Sequence, residues 1–209
     1  MIMKRTLWFI FFLLNSLFYL YADSENDSLL KVLDKVISER LIYTQKKEAT
    51  IKELKKKNIA TTIETASHIP TRIYQEAMKY IDHVFADLKI IDSADHKKYT
   101  GVDNELIKQN LEWLLSSKKA KDVIIRTPLI PGMTTSEENI AGIARFISDI
   151  YPDVKYEILN YNPLAQAKYD MVDKQFCFED NPPLYSDEQM RAFGKIATDN
   201  GVKNLILEI

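Results

Sequence analysis

The stretch Val123–Ile140, "VIIRTPLIPGMTTSEENI", contains a complete structural instruction. Val123–Ile130 is apolar and β-branched at its start, the composition of a buried strand. Pro131-Gly132 stops it. Thr135 and Glu138 then have the spacing of a capping box, opening a helix over 136–150. Strand, break and capped helix in some thirty residues is one half of a βαβ unit.

The same unit recurs on both sides. Ile59–Thr65 reads as a strand. Pro70 suits the first turn of a helix that carries Ile73, Ala77 and Ile81 on one face. Val84–Lys89 is the next strand. Asp103 caps a helix with Leu106, Ile107, Leu111, Leu114 and Leu115. After the helix 136–150 come a strand at Val154–Tyr161 and a long loop. Ser186 and Gln189 then cap a last helix ended by Gly201, and Leu205–Ile209 closes as a strand. Five strands alternating with four helices predict an α/β fold with a parallel sheet and right-handed crossovers. The strands read as apolar on both faces, as in a sheet covered on both sides.

In such sheets chemistry gathers where strands end. The first strand ends in Glu64-Thr65 and the second in Asp87-Leu88-Lys89. The third carries Arg126, and the fourth ends in Asn160-Tyr161-Asn162. Two acids, a lysine and an arginine are thereby expected at one mouth. Each also has a plain structural alternative: a strand-end acid caps a helix or pairs with a neighbour, and Asp87 and Lys89 at i,i+2 can form a simple ion pair. His68, His83 and His96 lack metal-ligand spacing. Cys177, the single cysteine, reads as a partly buried structural thiol between Phe176 and Phe178.

Composition removes several classes. The net charge of −2 over 209 residues implies no general attraction to nucleic acid. One cysteine excludes an internal disulfide, a cysteine-based zinc site and a cluster held by three or four cysteines of this chain. The five glycines lie too far apart for GxGxxG or Walker loops.

The first 57 residues read differently. Residues 1–22, "MIMKRTLWFIFFLLNSLFYLYA", have a short positive start and an apolar run too short for a comfortable membrane span. They are expected to be a signal peptide, with an uncleaved anchor as the alternative. Export or membrane anchoring would follow. Residues 23–57 are expected to hold a long amphipathic helix, over 27–57, with Leu29, Leu33, Val36, Ile37, Leu41 and Ile42 along one stripe. That part resembles the start of exported helical-repeat regulators. "ELKKKNIATTIETAS", Glu53–Ser67, passes from charged helix to alternating strand without a turn signal, so a join between unrelated sources is expected near residues 52–58.

Residues 58–209 form the α/β part. "TTIETASHIP", "FADLKIIDSADHKKYTGVDNELIKQNLEWLL", "VIIRTPLIPGMTTSEENI" and "LNYNPLAQAKYD", in this order and spacing, resemble the activating enzymes of glycyl-radical enzymes. These are the pyruvate formate-lyase activating enzyme group of the radical S-adenosylmethionine superfamily. The resemblance covers residues from about 54 to 209. It implies the C-terminal part of a (β/α)6 barrel, hence a partial (β/α) barrel here. It also implies S-adenosylmethionine and a 4Fe–4S cluster as cofactors, and reductive cleavage to a 5′-deoxyadenosyl radical that installs a glycyl radical on a partner enzyme. By position, it puts Glu64, Thr65, Asp87, Lys89, Arg126 and Asn162 at the cofactor, with Lys89 facing the carboxylate. The family works in the cytoplasm, which conflicts with a signal peptide.

The sequence departs from the family in two motifs. The CxxxCxxC that holds the cluster and the glycine-rich GGEP-like turn are both absent from these 209 residues. Asn160 and Asn162 stand where many relatives have Pro and His. The expectation is therefore a truncated or fused activating protein that does not ligate the cluster by itself and is inactive alone. An exported, non-catalytic interaction module is the alternative. A Schiff-base aldolase built on Lys89, with Asp87 and Glu64 as proton-transfer groups, is a third reading of the same residues.

Overall fold

The computed structural model describes residues 56–57, 60–171 and 176–208, which belong to one compact unit, Ile51–Ile209. The expected signal or anchor at 1–22 and the helix at 27–57 lie outside the described residues but for the last two positions of the helix. Among the described residues no helix is long and apolar enough to cross a membrane.

Five strands form one parallel sheet in the order β1-β2-β3-β4-β5: Thr62–Thr65, His83–Asp87, Val123–Pro128, Lys155–Leu159 and Asn204–Leu207. The α/β class and the parallel sheet are as the sequence predicts. Sequential order means that each strand pairs with the one before it, and right-handed crossovers then put every connecting helix on the same face. The helices α1 (Thr71–Met78), α3 (Glu105–Leu115), α4 (Glu137–Ile150) and α6 (Asp187–Asp199) accordingly pack as one layer, α1 on α3, α3 on α4 and α4 on α6. Gly194 of α6 allows a close approach of that helix to β5. A Cβ there would stand 2.9 Å from methyl carbons of Leu205 and Leu207 on β5.

Burial follows from this one-sided layering. Val84, Ala86, Val123, Ile125, Tyr156 and Ile158 alternate along the strands and are buried under the helices with Leu111, Leu114, Ile140, Ile143 and Ile147. Each valine, leucine and isoleucine of this set contributes about 1.5–3 kcal/mol by leaving water. Their neighbours, including Phe85, Ile124, Arg126 and Glu157, face the other way and stay half-buried. The expectation of strands apolar on both faces is therefore corrected. Among the described residues only one face is covered by helices, and the second carries charged side chains.

Other corrections are local. In α1 the buried positions are Tyr74 and Met78, while Ile73 is 41% exposed. Tyr74 wins that face because its ring packs edge-on against Trp113 and its hydroxyl meets Ser67 Oγ at 3.1 Å. Helix α4 starts one residue later than predicted: Ser136 is its cap, accepting from the Asn139 amide at 3.1 Å. Thr134 leaves for the interior, where its hydroxyl donates to Pro128 O and accepts from the Ile130 amide. The capping box of α6, Ser186 with Gln189, is present as expected. Two helices had no apolar periodicity to reveal them: α2 (Ser93–Thr100), which buries only His96, and α5 (Ala165–Met171) inside the expected loop.

The turn after β1 shows how the strand exits are held. Ser67 is fully buried with φ +56°, a left-handed conformation unusual for a residue with a side chain. Its amide donates to Thr65 Oγ1 at 2.9 Å. Asn110, fully buried on α3, donates through Nδ2 to Ser67 O and Ile69 O, both at 2.8 Å. Asn110→Ala orphans the buried Ser67 carbonyl and the half-buried Ile69 carbonyl and is expected to cost about 2 kcal/mol, read as a lower urea midpoint.

The buried tyrosines set a second expectation. Burial pushes the Tyr74 hydroxyl up to about 12 and Tyr156 further still. A folded value above the unfolded value near 10 means stability fully present below that pH and lost as pH rises through the folded value. Tyrosinate absorbance should therefore rise together with loss of circular dichroism above about pH 10, and Tyr74→Phe should weaken that coupling.

Candidate functional site

Parallel register places Asp87 beside Arg126 on adjacent strands, with Glu64 one strand further out opposite Phe85. Odd and even positions decide which of these meet. Glu64, Asp87 and Arg126 all lie on the face away from the helices, and Lys89, two residues beyond Asp87, falls on the same side.

The four form one network. Arg126 Nη1 donates to Glu64 Oε1 at 3.2 Å. Its Nε and Nη2 both reach Asp87 Oδ1 at 3.2 Å. Lys89 Nζ stands 3.4 Å from Asp87 Oδ2. The guanidinium lies 5.0 Å above the Phe85 ring, so Arg126 crosses Phe85 to reach Glu64. The side chain of Arg126 is 14% exposed, against 67% for Glu64 and 36% for Lys89. Burial opposes the charge on Arg126, but its hydrogen bond to Glu64 and the two negative charges outweigh it and hold its pKa above the ordinary value. The Arg126 hydrogen bond and charge hold the Glu64 carboxyl below the ordinary value.

Two expected site residues stand apart from this network. Thr65 lies on the helix-facing side of β1, where its Oγ1 accepts from the Ser67 amide. Asn162 is exposed, and its Oδ1 accepts from the Leu164 amide at 3.0 Å while its carbonyl accepts from Ala165 at the start of α5. Neighbouring Asn160 ties two loops: its Oδ1 accepts from Tyr161 and Tyr185 amides and its Nδ2 donates to Tyr185 O.

The strand exits contain residues that sequence reading missed. Asn104 and Asn139 hold the backbone on the C-terminal side of Asp87, as Asn110 holds the turn after β1. Thr127 Oγ1 accepts from the fully buried Tyr156 hydroxyl at 2.9 Å and donates to Leu88 O at 2.6 Å. Polar side chains inside helices and strands give no sequence signal of such a role.

A site of two cations and two carboxylates suits the zwitterionic end of an amino acid, because each charge of the ligand finds an opposite charge. The cysteine set does not suit an iron–sulfur cluster. Cys177 is the single cysteine of the sequence and is exposed, not the partly buried thiol expected. Among the described residues no group of three His, Cys, Asp or Glu is placed to hold a metal ion.

No protein-family model matches the chain. Curated relatives do. The chain is 40% identical over 131 residues to the (2S)-3-sulfopropanediol sulfolyase activating enzyme of Bilophila wadsworthia, covering 63% of this chain and 43% of that protein. It is 37% identical over 145 residues to the indoleacetate decarboxylase activating enzyme of Tractidigestivibacter scatoligenes, covering 69% and 45%. The chain thus spans less than half the length of the curated relatives it matches. Among solved structures, a domain of pyruvate-formate lyase-activating enzyme from Bacteroides vulgatus superposes with a TM-score of 0.58 at 21% identity, covering 81% of this chain and 93% of that one. That likeness speaks for the fold. The sequence matches go further, and with them the chain is a relative of the glycyl-radical enzyme activating enzymes, as the motifs between residues 61 and 170 indicate.

Proposed function

We propose that the region from about residue 54 onward is the part of a glycyl-radical enzyme activating protein that binds the amino acid end of S-adenosylmethionine, within a partial (β/α) barrel. The observation that supports this is the Glu64–Arg126–Asp87–Lys89 network at the strand exits of a sequential parallel sheet. Lys89 and Arg126 would take the ligand's carboxylate and Asp87 and Glu64 its ammonium. The uncovered sheet face would be the barrel's inner face. When bound in the family's reaction, S-adenosylmethionine supplies the deoxyadenosyl group that takes a hydrogen atom from a glycine of the partner enzyme.

The chain's own residues do the binding, and their charges are already paired. A ligand carboxylate must compete with Asp87 for Lys89 and Arg126, so entry is an exchange of partners. Arg126, the most enclosed of the four, keeps its position by stacking on Phe85 while its acids rearrange. In this reading the cluster is not ligated by these residues alone, since one cysteine cannot replace three. No reductive step is therefore assigned to this chain by itself, and a partner glycyl-radical enzyme is the macromolecule it would serve.

Calorimetric titration of the full chain with S-adenosylmethionine tests the reading. Binding by the wild type and at least about tenfold weaker binding by Lys89→Ala are expected, the size of one charge-assisted hydrogen bond. Wild-type protein that takes up no ligand overturns it. Anaerobic reconstitution with iron and sulfide is expected to leave no stoichiometric cluster, by iron analysis and absorbance.

The network makes its own prediction about pH. Glu64 is depressed by Arg126, so its contribution is present above the ordinary glutamate pKa and is lost as pH falls through the folded value. Glu64 is mostly exposed and the contribution is small. Arg126→Leu should move the Glu64 titration, followed by carboxyl carbon NMR, upward to the ordinary range. An unmoved midpoint would show that the ion pair is not formed in solution.

A further inference from the structure

Lys89 protrudes from a backbone segment that is gripped at every residue. Leu88 donates its amide to Arg126 O at 3.0 Å, and its carbonyl accepts from Thr127 Oγ1. The carbonyls of Ile90 and Ile91 accept from Asn104 Nδ2 at 2.8 and 3.0 Å. The Ile91 amide donates to Asn139 Oδ1 at 2.8 Å, and the Lys89 carbonyl accepts from Asn139 Nδ2 at 3.0 Å. The second Nδ2 hydrogen goes to Thr134 O at 2.9 Å. Leu88 and Ile90 are buried on either side, and the Lys89 side chain between them reaches out to Asp87.

Of the two asparagines, Asn139 is the one that bonds the Lys89 backbone itself. It occupies the third position of α4, where Ser136 already caps its amide. The side chain is thereby free to face the strand exit, and both its oxygen and its nitrogen are used there. Burial makes the arrangement rigid, since a buried carbamoyl with these three bonds has no equally satisfied alternative. We infer that Asn139 is a positioning residue for Lys89: it fixes the root of that side chain so that the ammonium lies beside Asp87 and toward the network. Its bearing on ligand affinity rests on the reading under Proposed function, whereas the positioning itself stands on geometry alone.

The test uses the full chain and two readouts. The first is competitive acylation of lysine amines, quantified at Lys89 by mass spectrometry against the exposed Lys195 and Lys203. An amine held on Asp87 is shielded, and release should raise its labelling roughly threefold, the worth of a partly exposed ion pair. Asn139→Ala and Asn139→Asp are expected to show this rise. The aspartate keeps an acceptor for Ile91 and loses both donors, so it serves should the alanine variant fail to fold. Ile143→Ala, one turn along α4 and fully buried, is the control for lost stability and should leave Lys89 labelling unchanged. Unchanged Lys89 labelling in both Asn139 variants, or an equal rise in Ile143→Ala, overturns the inference.

The second readout is the S-adenosylmethionine dissociation constant. About a tenfold increase is expected for the Asn139 variants and none for Ile143→Ala. If the wild type binds no S-adenosylmethionine while Lys89 labelling still responds to Asn139, the positioning role holds and the proposed function falls.

Discussion

A parallel sheet whose strands pair in chain order can be covered by its own crossovers on one side only. That constraint organises this molecule. It sets the alternation in which Val84, Ala86, Ile125 and Tyr156 go under the helices while Phe85, Asp87, Arg126 and Glu157 do not. It brings all five strand exits to one end. It also makes register a functional quantity, because a slip of one residue in β3 would turn Arg126 into the core and expose Ile125. The apolar partners of Ile125 in the helix layer therefore hold the guanidinium in place as firmly as its acids do.

Strand exits are where such a fold is weakest. The chain must turn from sheet to helix, and the carbonyls of the turn have no ladder partner. Here three buried asparagines replace the missing ladder. Asn110 serves the turn after β1, and Asn104 and Asn139 serve the turn after β2. An asparagine can do this where a serine cannot, since its Nδ2 offers two hydrogens at a fixed angle and bridges two carbonyls at once. The cost is visible in the orphaned oxygens of Asn104 and Asn110, which find no donor among the described residues. Two satisfied carbonyls against one unsatisfied acceptor is a favourable exchange at each site.

These devices explain what the sequence made legible. Strand cores and the helices α3, α4 and α6 announce themselves because burial on one face writes a period of two or of about 3.6 into the residues. Convergence of Glu64, Asp87, Lys89 and Arg126 was legible too, because it needs only strand assignment and parity. Thr65 lies on the other face of β1 by parity, and Asn162 bonds the start of α5, so neither joins that network. Helix α2 writes no period, since His96 is its one fully buried side chain. The asparagine clamps were illegible for a different reason. A polar residue on an amphipathic helix looks like a surface position until the turn beneath it is seen to lack partners.

The network at the mouth has an electrostatic property that none of its members has singly. Arg126 serves Glu64 and Asp87, and Asp87 serves Arg126 and Lys89, so every charge but the terminal two is shared. Shared charges are cheap to rearrange. An incoming anion that takes Lys89 from Asp87 leaves Asp87 still bonded to Arg126, and an incoming cation that takes Glu64 leaves Arg126 still bonded to Asp87. Isolated buried pairs lack this property, because removing one partner strands a charge in a poorly solvated place. The terminal members, Glu64 and Lys89, are also the more exposed, so the groups that can let go are the ones water can reach. Asp87 and Arg126, between them, are the more enclosed pair, and each keeps the other as a partner when only a terminal member lets go.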